Sequence, residues 1–307
     1  MSIAVVFPGQ GSQYVGMGLD LYEGNERANS LIAAADLAFG QGLKDVMFLG
    51  PEEELKKTHN TQPAILTASA AAYEAIKEKL AGKTAYFAGH SLGEYTALYA
   101  AGVMDFETAV KLVKRRGELM QEASTNVKSG MAAVLNLDME AVKKLCEMVK
   151  PAGYMGIANI NSPGQIVVSG DMAAIDAGEA AAKELGAKRY VKLPVAGAFH
   201  SEVMRPAAEG LKAEIDKFAI KDAAIPVVAN VTASEITKAD DIKTSLVSQV
   251  VSSVRWVECV EYMKSKGVDT FIEVGPGNVL SGLIKKIDKN LKIINVGKLE
   301  EATNFTI

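Results

Sequence analysis

The distribution of apolar positions along the chain predicts strands and helices in alternation. Short, nearly continuous apolar runs at residues 3–8 and 85–89 have the length of buried strands. Helices are predicted over residues 92–101 and 106–122, and the second of these carries an apolar stripe along one face. Because strands that alternate with helices form parallel sheets with helical crossovers, this part of the chain predicts an α/β domain.

The helix predicted over residues 62–80 has both a start and a stop signal. Thr61 is placed to cap it and Pro63 lies in the predicted first turn, whereas Gly82 follows its end. A glycine-rich loop is predicted at residues 9–18, and no element is assigned between that loop and the helix.

The middle of the chain changes to a different order of elements. A strand, a helix, two strands, a helix and a strand are predicted at residues 130–137, 138–149, 154–160, 164–169, 171–185 and 188–194. This β-α-β-β-α-β order is typical of the ferredoxin-like arrangement. We therefore expect a small domain at residues 128–195, inserted into a large α/β domain with segments 1–127 and 196–307.

The α/β pattern returns in the last segment. Helices are predicted at residues 201–218, across 241–266 and at 278–288, and strands at 226–230, 269–274 and 291–296. The large domain is therefore expected to be built from both ends of the chain.

Composition limits the classes of function. The chain has 307 residues, of which 49% are apolar, and a net charge of −4, which argues against a nucleic-acid-binding protein. No window is long and apolar enough to span a membrane, and the N-terminus lacks the basic start of a signal peptide. We therefore expect a cytoplasmic protein without a membrane partner, in which Cys146 and Cys259 are free thiols.

Residues 89–93, Gly-His-Ser-Leu-Gly, form a G-x-S-x-G motif between a predicted strand and a predicted helix. A nucleophile elbow requires this context, because the tight turn lifts the serine hydroxyl to the carboxyl end of the sheet. The helix N-terminus behind the serine favours negative charge that develops beside it. The motif therefore predicts Ser91 as a nucleophile; the alternative is a glycine-rich turn with a capping serine.

A nucleophilic serine needs a general base, and the chain has three histidines. His90 is adjacent to Ser91, but neighbouring side chains on a tight turn point apart. His59 lies in a polar stretch before a helix, where a surface or capping role is expected. Elimination leaves His200, which follows the last predicted strand of the small domain, although a structural role for it stays open.

Attack on a carbonyl group also needs hydrogen-bond donors for the oxyanion. The main-chain N–H of Leu92, the residue after the candidate nucleophile, is the first expected donor. The segment 9–13, Gly-Gln-Gly-Ser-Gln, follows the first predicted strand and can supply the second. Because this segment lacks the pattern of a phosphate-binding loop, we favour the oxyanion interpretation over nucleotide binding.

Two adjacent arginines lie on different faces of the helix predicted at residues 106–122. At about 100° per residue, Arg115 falls opposite the apolar stripe, whereas Arg116 lies only about 60° from its centre. An unpaired charge turned towards the interior is costly. Arg116 is therefore predicted to form a structural ion pair, to snorkel, or to grip a substrate carboxylate with two hydrogen bonds.

Seven short motifs, spread in order over nearly the whole chain, carry a resemblance to a known family. They are Phe7-Pro8-Gly9-Gln10-Gly11-Ser12-Gln13, Thr61-Gln62-Pro63-Ala64, Gly89-His90-Ser91-Leu92-Gly93-Glu94-Tyr95, Arg115-Arg116-Gly117, Asn159-Ile160-Asn161-Ser162-Pro163-Gly164-Gln165, Gly197-Ala198-Phe199-His200-Ser201 and Glu273-Val274-Gly275-Pro276-Gly277. The sequence resembles the malonyl-CoA:acyl carrier protein transacylases of fatty acid synthesis and the related acyltransferase domains of polyketide synthases.

The resemblance implies a fold and a set of site residues. The fold is a hydrolase-like large domain with a parallel sheet and an inserted ferredoxin-like small domain. By position, Ser91 is the implied nucleophile and His200 the base, and Arg116 binds the malonyl carboxylate. The N–H groups of Gln10 and Leu92 form the implied oxyanion hole.

The resemblance also implies two features of the pocket. The histidine is oriented by a main-chain carbonyl near Gln249 rather than by a carboxylate, and Phe199 matches the malonyl-selecting form of the family. The chain departs from many relatives at Glu202, where they carry proline, so the rim of the pocket is less defined.

The implied reaction moves a malonyl group from malonyl-CoA to the phosphopantetheine thiol of acyl carrier protein through a malonyl-serine ester. Coenzyme A enters as a thioester substrate, and no metal or other cofactor is expected. The alternatives are a free-standing polyketide-synthase acyltransferase, a serine (thio)esterase that uses water as the acceptor, and a binding module without catalysis. Intact Ser91, His200 and Arg116 argue against the last of these.

Overall fold

A computed structural model of the chain describes residues 2–195 and 197–307. The α-helices within these residues are α1 (Leu19–Gly24), α2 (Glu26–Phe39), α3 (Leu43–Phe48), α4 (Glu52–Leu55), α5 (Thr58–Leu80), α6 (Gly93–Ala100), α7 (Phe106–Asn126), α8 (Met139–Val149), α9 (Met172–Glu184), α10 (Arg205–Ile215), α11 (Ala239–Gln249), α12 (Trp256–Ser265), α13 (Val279–Ile287) and α14 (Leu299–Asn304). The strands are β1 (Ile3–Phe7), β2 (Thr84–Gly89), β3 (Ser129–Leu135), β4 (Met155–Ser162), β5 (Gln165–Asp171), β6 (Arg189–Lys192), β7 (Val227–Val228), β8 (Glu235–Ile236), β9 (Thr270–Val274) and β10 (Lys292–Val296).

The larger sheet has six strands in the order β10-β9-β1-β2-β7-β8. Its neighbouring strands are parallel, except that β8 runs antiparallel to β7. All five residues of β1 are buried, as expected for a central strand covered on both faces. Alternate β1 side chains accordingly enter two cores: Val5 and Phe7 face one, and Ala4 and Val6 face the other.

The smaller sheet has four strands in the order β4-β5-β3-β6, and each adjacent pair is antiparallel. Side chains from α8 and α9, such as Leu145 and Ile175, form a separate core with this sheet. The edge strand β4 touches the segment between α11 and α12, because Ile160 N–H donates to the Val254 carbonyl at 2.9 Å. The smaller sheet therefore contacts the connection between α11 and α12 along β4.

The observed fold is a mixed α/β architecture with a largely parallel sheet, as the sequence predicts. The predicted division into segments 1–127, 128–195 and 196–307 stays a prediction. Its outer limit at residue 1 and the boundary residue 196 lie outside the described residues.

The sequence pattern missed the helices between the first strand and α5. Helices α1 to α4 occupy a stretch in which no element is predicted; three of them have six residues or fewer, too short for a helical period to emerge.

The predicted start of α5 is also wrong. The helix begins at Thr58, and Thr61 lies within it, since its N–H donates to the Lys57 carbonyl at 2.8 Å. Its hydroxyl donates to the Leu55 carbonyl, so it ties α5 to α4 rather than capping α5. Pro63 therefore lies inside the helix rather than in its first turn.

Two predicted elements in the last third of the chain differ from the structure. The stretch 201–218 begins with a 3₁₀ turn at Glu202–Met204, and the strand predicted at 226–230 is only the two-residue β7. The helices predicted across 241–266 are confirmed as α11 and α12, whose connection contacts β4. Among the described residues, no helix has both the length and the hydropathy required to cross a bilayer.

The start of α6 lies against the ends of β1 and β2 without room for a side chain. A Cβ atom on Gly93 would lie 2.1 Å from the Phe7 carbonyl oxygen, and one on Gly89 would lie 1.9 Å from the Gly93 carbonyl carbon. These two glycines therefore allow the turn between β2 and α6 to close tightly onto β1.

Gly93 and Gly282, which both lie in helices, should respond in opposite ways to substitution by alanine. Gly93→Ala should lower the free energy of unfolding by about 1–3 kcal/mol or more, because the new methyl group meets backbone atoms. Gly282 is exposed in α13, and a Cβ atom there would have no other atom within 4 Å, so Gly282→Ala should raise it by about 0.5–1 kcal/mol. Urea unfolding measures both values, and equal effects would contradict the close approach.

Candidate active site

The turn between β2 and α6 places Ser91 at the carboxyl end of the larger sheet. Ser91 has a positive φ of 51°, a conformation that non-glycine residues rarely adopt. Asn230, just after β7, holds both sides of the turn: its Oδ1 accepts from Ser91 N–H at 2.7 Å, and its Nδ2 donates to the Gly89 carbonyl at 2.7 Å. The unusual backbone conformation of Ser91 is thus held by a side chain that follows the neighbouring strand β7.

His200 is the histidine that meets Ser91. Its Nε2 lies 2.8 Å from Ser91 Oγ, and its Nδ1 lies 2.9 Å from the Gln249 carbonyl oxygen. Because a carbonyl can only accept, Nδ1 carries the proton, which leaves the Nε2 lone pair free to take the proton of Ser91. The geometry therefore suits a serine hydroxyl and a general base.

The other two histidines lie elsewhere. His90 Nε2 lies 2.8 Å from Asn161 Oδ1, so its ring is directed towards β4 rather than to Ser91 Oγ. His59 is half-buried in the first turn of α5.

Burial and a neighbouring cation keep His200 neutral. Desolvation, and then the positive charge of Arg116, lower the pKa of His200 to about 3, despite the opposing hydrogen bond to the Gln249 carbonyl. The imidazole is therefore available as a base well below neutral pH.

Arg116 on α7 lies in the interior beside Ser91, with a relative exposure of 1%. Its Nη1 donates to Gln62 Oε1 at 2.7 Å, and its Nη2 donates to Ser91 Oγ at 3.1 Å and to Gln249 Oε1 at 3.0 Å. Its Nε has no hydrogen-bond partner, and its guanidinium lies 5.5 Å from the Tyr95 ring centroid. Neutral groups thus surround the cation.

The structure distinguishes the two arginines as the helical pattern predicts. Arg115 is on the opposite face, where it bonds to Glu118 and Glu122. Within the part of the chain that the structure describes, Arg116 has no carboxylate within 4.0 Å. The structural ion pair considered for Arg116 is therefore not observed among the described residues, and the buried cation has only neutral groups as hydrogen-bond partners.

Two main-chain N–H groups are placed as possible oxyanion donors. Gln10 and Leu92 both line the cavity at Ser91. Among the described residues, neither N–H has a hydrogen-bond acceptor. The glycine-rich loop is held close to the elbow, since a Cβ atom on Gly9 would lie 2.3 Å from the His90 carbonyl oxygen.

A cavity of about 100 Å³ opens at Ser91. Its apolar lining comes from Met120, Met131, Leu193, Val195 and Phe199. The arrangement combines a serine, a neutral base and a buried cation in an apolar pocket, which suits transfer of a small acyl group that carries a negative charge. Glu202 lies just beyond His200, and its carboxylate pairs with Arg205.

Three polar residues of the site were not assigned from sequence. Gln62 lies inside one of the seven motifs, and Asn230 lies at the end of a predicted strand, yet neither position indicates its partner. Glu94 carried a usable signal, because it is the single charged residue of the helix predicted at 92–101. It is fully buried, and desolvation raises the pKa of its carboxyl group to about 7.

Comparisons with known proteins show the family to which the chain belongs. A family described as acyl transferase domain matches residues 4–300. The malonyl CoA-acyl carrier protein transacylase of Bacillus subtilis (strain 168) is 48% identical over 300 residues, which cover 97% of this chain and 94% of that protein.

Solved structures of such enzymes have the same fold. The malonyl CoA-acyl carrier protein transacylase from Clostridium perfringens superposes with a TM-score of 0.93 at 41% identity, covering 99% of this chain and 95% of that one. A malonyl-transacylase solved in complex with a type II PKS acyl-carrier protein superposes with a TM-score of 0.95 at 39% identity, covering 99% and 98%.

The pKa of His200 predicts how Ser91 reactivity depends on pH. A histidine accepts a proton only when neutral, that is, above its pKa, so a pKa of about 3 leaves the base active at mildly acid pH. The labelling rate of Ser91 by a neutral sulfonyl fluoride should therefore change less than about twofold between about pH 7.5 and about pH 5.5.

An ordinary histidine pKa of about 6.5 would instead lower the rate about tenfold over the same range. Because Glu94 titrates within this range, the same profile in Glu94→Gln serves as the control. A tenfold fall in both proteins would contradict the neutral-base geometry.

Proposed function

This chain belongs to the acyl transferase domain family, and we propose that it transfers a malonyl group from malonyl-CoA to the phosphopantetheine thiol of an acyl carrier protein. The observation that carries the proposal is the buried guanidinium of Arg116, which lies 3.1 Å from Ser91 Oγ without an ion-pair partner among the described residues. The malonyl group is a small acyl group with a free carboxylate, and a guanidinium can bind that carboxylate with two parallel hydrogen bonds. Relatives named for this reaction match the chain over nearly its full length.

In the first half-reaction, the malonyl thioester enters with its carboxylate on Arg116. His200 Nε2 takes the Ser91 proton as Oγ attacks the thioester carbonyl carbon. The N–H groups of Gln10 and Leu92 stabilise the oxyanion, and the C–S bond then breaks as His200 returns the proton to the coenzyme A thiolate. Ser91 is left as a malonyl ester.

In the second half-reaction, the carrier thiol replaces coenzyme A. His200 takes the thiol proton, the thiolate attacks the ester carbonyl, and the Ser91 oxygen leaves and regains a proton from His200. The exchange follows a ping-pong scheme. The malonyl group leaves one thiol and reaches the other, each proton that His200 takes is returned, and no further reactant is needed. We therefore expect no metal and no redox cofactor, and coenzyme A is a substrate.

We infer that residues 128–195 act as a ferredoxin-like small domain inserted into a hydrolase-like large domain. The order β3-α8-β4-β5-α9-β6 and the sheet order β4-β5-β3-β6 support this assignment. Malonyl transfer to a carrier protein is the entry step of fatty acid synthesis, which we propose as the pathway, in the cytoplasm. Supply of a polyketide synthase is the alternative, because one of the similar structures holds a type II PKS carrier.

The first test of the proposal is the acyl-enzyme itself. Incubation with malonyl-CoA should add one malonyl group to the wild-type chain by intact-protein mass spectrometry, and peptide mapping should place it on Ser91. Ser91→Ala should remain folded and unmodified. A folded Ser91→Ala protein that still gains the group would contradict the assigned nucleophile, and rapid loss of the group to water without a carrier would favour the esterase alternative.

The second test asks whether Arg116 recognises the carboxylate. Arg116→Ala should lower malonyl kcat/KM steeply, because losing one partner of a buried charge pair costs roughly two to five kcal/mol. Acetyl-CoA has no carboxylate to lose, so its kcat/KM should fall less or rise. Arg116→Lys should restore malonyl transfer only in part, since an ammonium lacks the planar fork.

The adjacent Arg115 provides a matched control on the same helix. Arg115→Ala removes a cation that bonds to Glu118 and Glu122 at the surface, and the malonyl-to-acetyl ratio should stay unchanged. An unchanged ratio in a folded Arg116→Ala protein would overturn the carboxylate-binding role and reopen the choice of substrate.

A further inference from the structure

The hydrogen-bond partners of the Gln249 side chain determine which of its two amide positions is oxygen and which is nitrogen. Arg116 Nη2 can only donate, and it lies 3.0 Å from Gln249 Oε1. On the other side, the Ser91 carbonyl and the Glu94 carboxylate can only accept, and they lie 3.1 and 2.9 Å from Gln249 Nε2. The Gln249 amide therefore lies between the Arg116 cation, which bonds to its oxygen, and the Glu94 carboxylate, which bonds to its nitrogen.

Glu94 is the anion at the far end of this connection. Its Oε2 accepts from Gln249 Nε2 and from Asn230 N–H, each at 2.9 Å, and its side chain is fully buried in the first turn of α6. Neither Glu94 nor Arg116 has an ion-pair partner within 4.0 Å among the described residues. Each is thus the other's nearest available counter-charge, separated by one amide.

A ligand with a negative charge would place a second anion beside the Arg116 cation. Before such a ligand binds, the Arg116 cation and the ionised Glu94 compensate one another. A malonyl carboxylate on Arg116 would leave the buried cluster with two anions and one cation. In an interior where charges are weakly screened, the second anion is repelled across the amide.

We propose that Glu94 sets the strength of malonyl binding by acting on Arg116 through the Gln249 amide, so that the carboxylate is held only loosely. The inference rests on the proposed function, in which Arg116 binds the malonyl carboxylate. Moderate binding suits a group that must be taken up from one thiol and released to another, since a carboxylate held too tightly favours the ground state over the transition state.

Glu94→Gln tests the charge while the contacts are kept. An amide oxygen at the position of Oε2 can still accept from Asn230 N–H and Gln249 Nε2. The Glu94 carboxylate also lies within hydrogen-bond reach of the buried Ser245 hydroxyl, whose oxygen can accept from the NH₂ group of a glutamine. The variant therefore removes an anion and leaves a satisfied network.

We expect Glu94→Gln to bind malonyl-CoA more tightly, a change that loss of a merely structural role would not produce. At about pH 8, Glu94→Gln should lower the KM for malonyl-CoA about three- to twentyfold relative to wild type, because repulsion across the amide is removed. The KM for acetyl-CoA should change less than about twofold, since acetyl is neutral. Glu94→Asp, which keeps the charge, should leave the malonyl-to-acetyl ratio close to that of wild type.

A matched control removes the charge of a different carboxylate, Glu118, which lies on α7 with Arg116. Glu118→Gln deletes a surface partner of Arg115, so the ratio should not change. Equal loss of activity towards both substrates in Glu94→Gln would show that Glu94 only supports the elbow, and an unchanged ratio would show that its charge is not felt at Arg116. Either result overturns the proposal.

Lowering the pH of the wild-type enzyme neutralises Glu94 without any substitution. The pKa shifts of the histidines, the tyrosine and the cysteine around it all favour the neutral forms that these groups have at about pH 8. Arg116 on α7 stays cationic. Burial lowers the pKa of His200 to about 3 and raises that of Tyr95 to about 12. Burial also lowers the pKa of His90 and raises that of Cys259 on α12.

Burial raises the pKa of Glu94 itself to about 7, so its charge is lost as the pH falls from about 8 to about 6. The malonyl-to-acetyl ratio of wild type should therefore rise as the pH falls, and should stay flat in Glu94→Gln. A flat wild-type profile would overturn the proposal even if the variant does not fold.

The design separates this inference from the proposed function. If Arg116→Ala leaves the ratio unchanged, the carboxylate-binding role itself fails. If Arg116→Ala lowers the ratio while neutralising Glu94 has no effect on it, only the inference about Glu94 fails.

Discussion

A guanidinium held in the protein interior without an adjacent carboxylate among the described residues is the constraint on which the rest of the site depends. Desolvation of a charged side chain is costly, and here amide oxygens and a serine hydroxyl offset it rather than a direct ion pair. Gln62 and Gln249 both turn their oxygens to Arg116 for this reason. A site built in this way leaves the cation available to a substrate carboxylate, whereas a closed ion pair would not.

The buried Arg116 cation also affects Ser91 and His200. Arg116 donates to Ser91 Oγ and lowers the pKa of His200, so the cation supports a hydroxyl beside a neutral imidazole. Because the carbonyl of Gln249 accepts from His200 Nδ1, the base is oriented by the main chain. Orientation by a neutral carbonyl suits the proposed function, since an orienting carboxylate would add a buried negative charge next to the position proposed for the malonyl carboxylate.

The parallel sheet brings the parts of the site to one edge. Gln10, Ser91 and Asn230 follow β1, β2 and β7, which are neighbours in the sheet and end on the same side. Asn230 can therefore bond to both sides of the elbow, although it lies 139 residues from Ser91 along the chain. His200 and Gln249 come from segments that follow β6 and end α11, and they close the site from the other side.

Local sequence patterns determined the alternation of strands and helices, the elbow at Ser91 and the inward face of Arg116, because each depends on residues within a few turns of one another. The short helices α1 to α4 and the start of α5 escaped the pattern, since their boundaries are set by contacts such as that between Thr61 and the Leu55 carbonyl. Only the tertiary structure decided that Glu94, Gln249 and Asn230 join Arg116 and Ser91 in one network. Those hydrogen bonds connect residues far apart in the chain, and no local period or spacing specifies which distant donor will meet which acceptor.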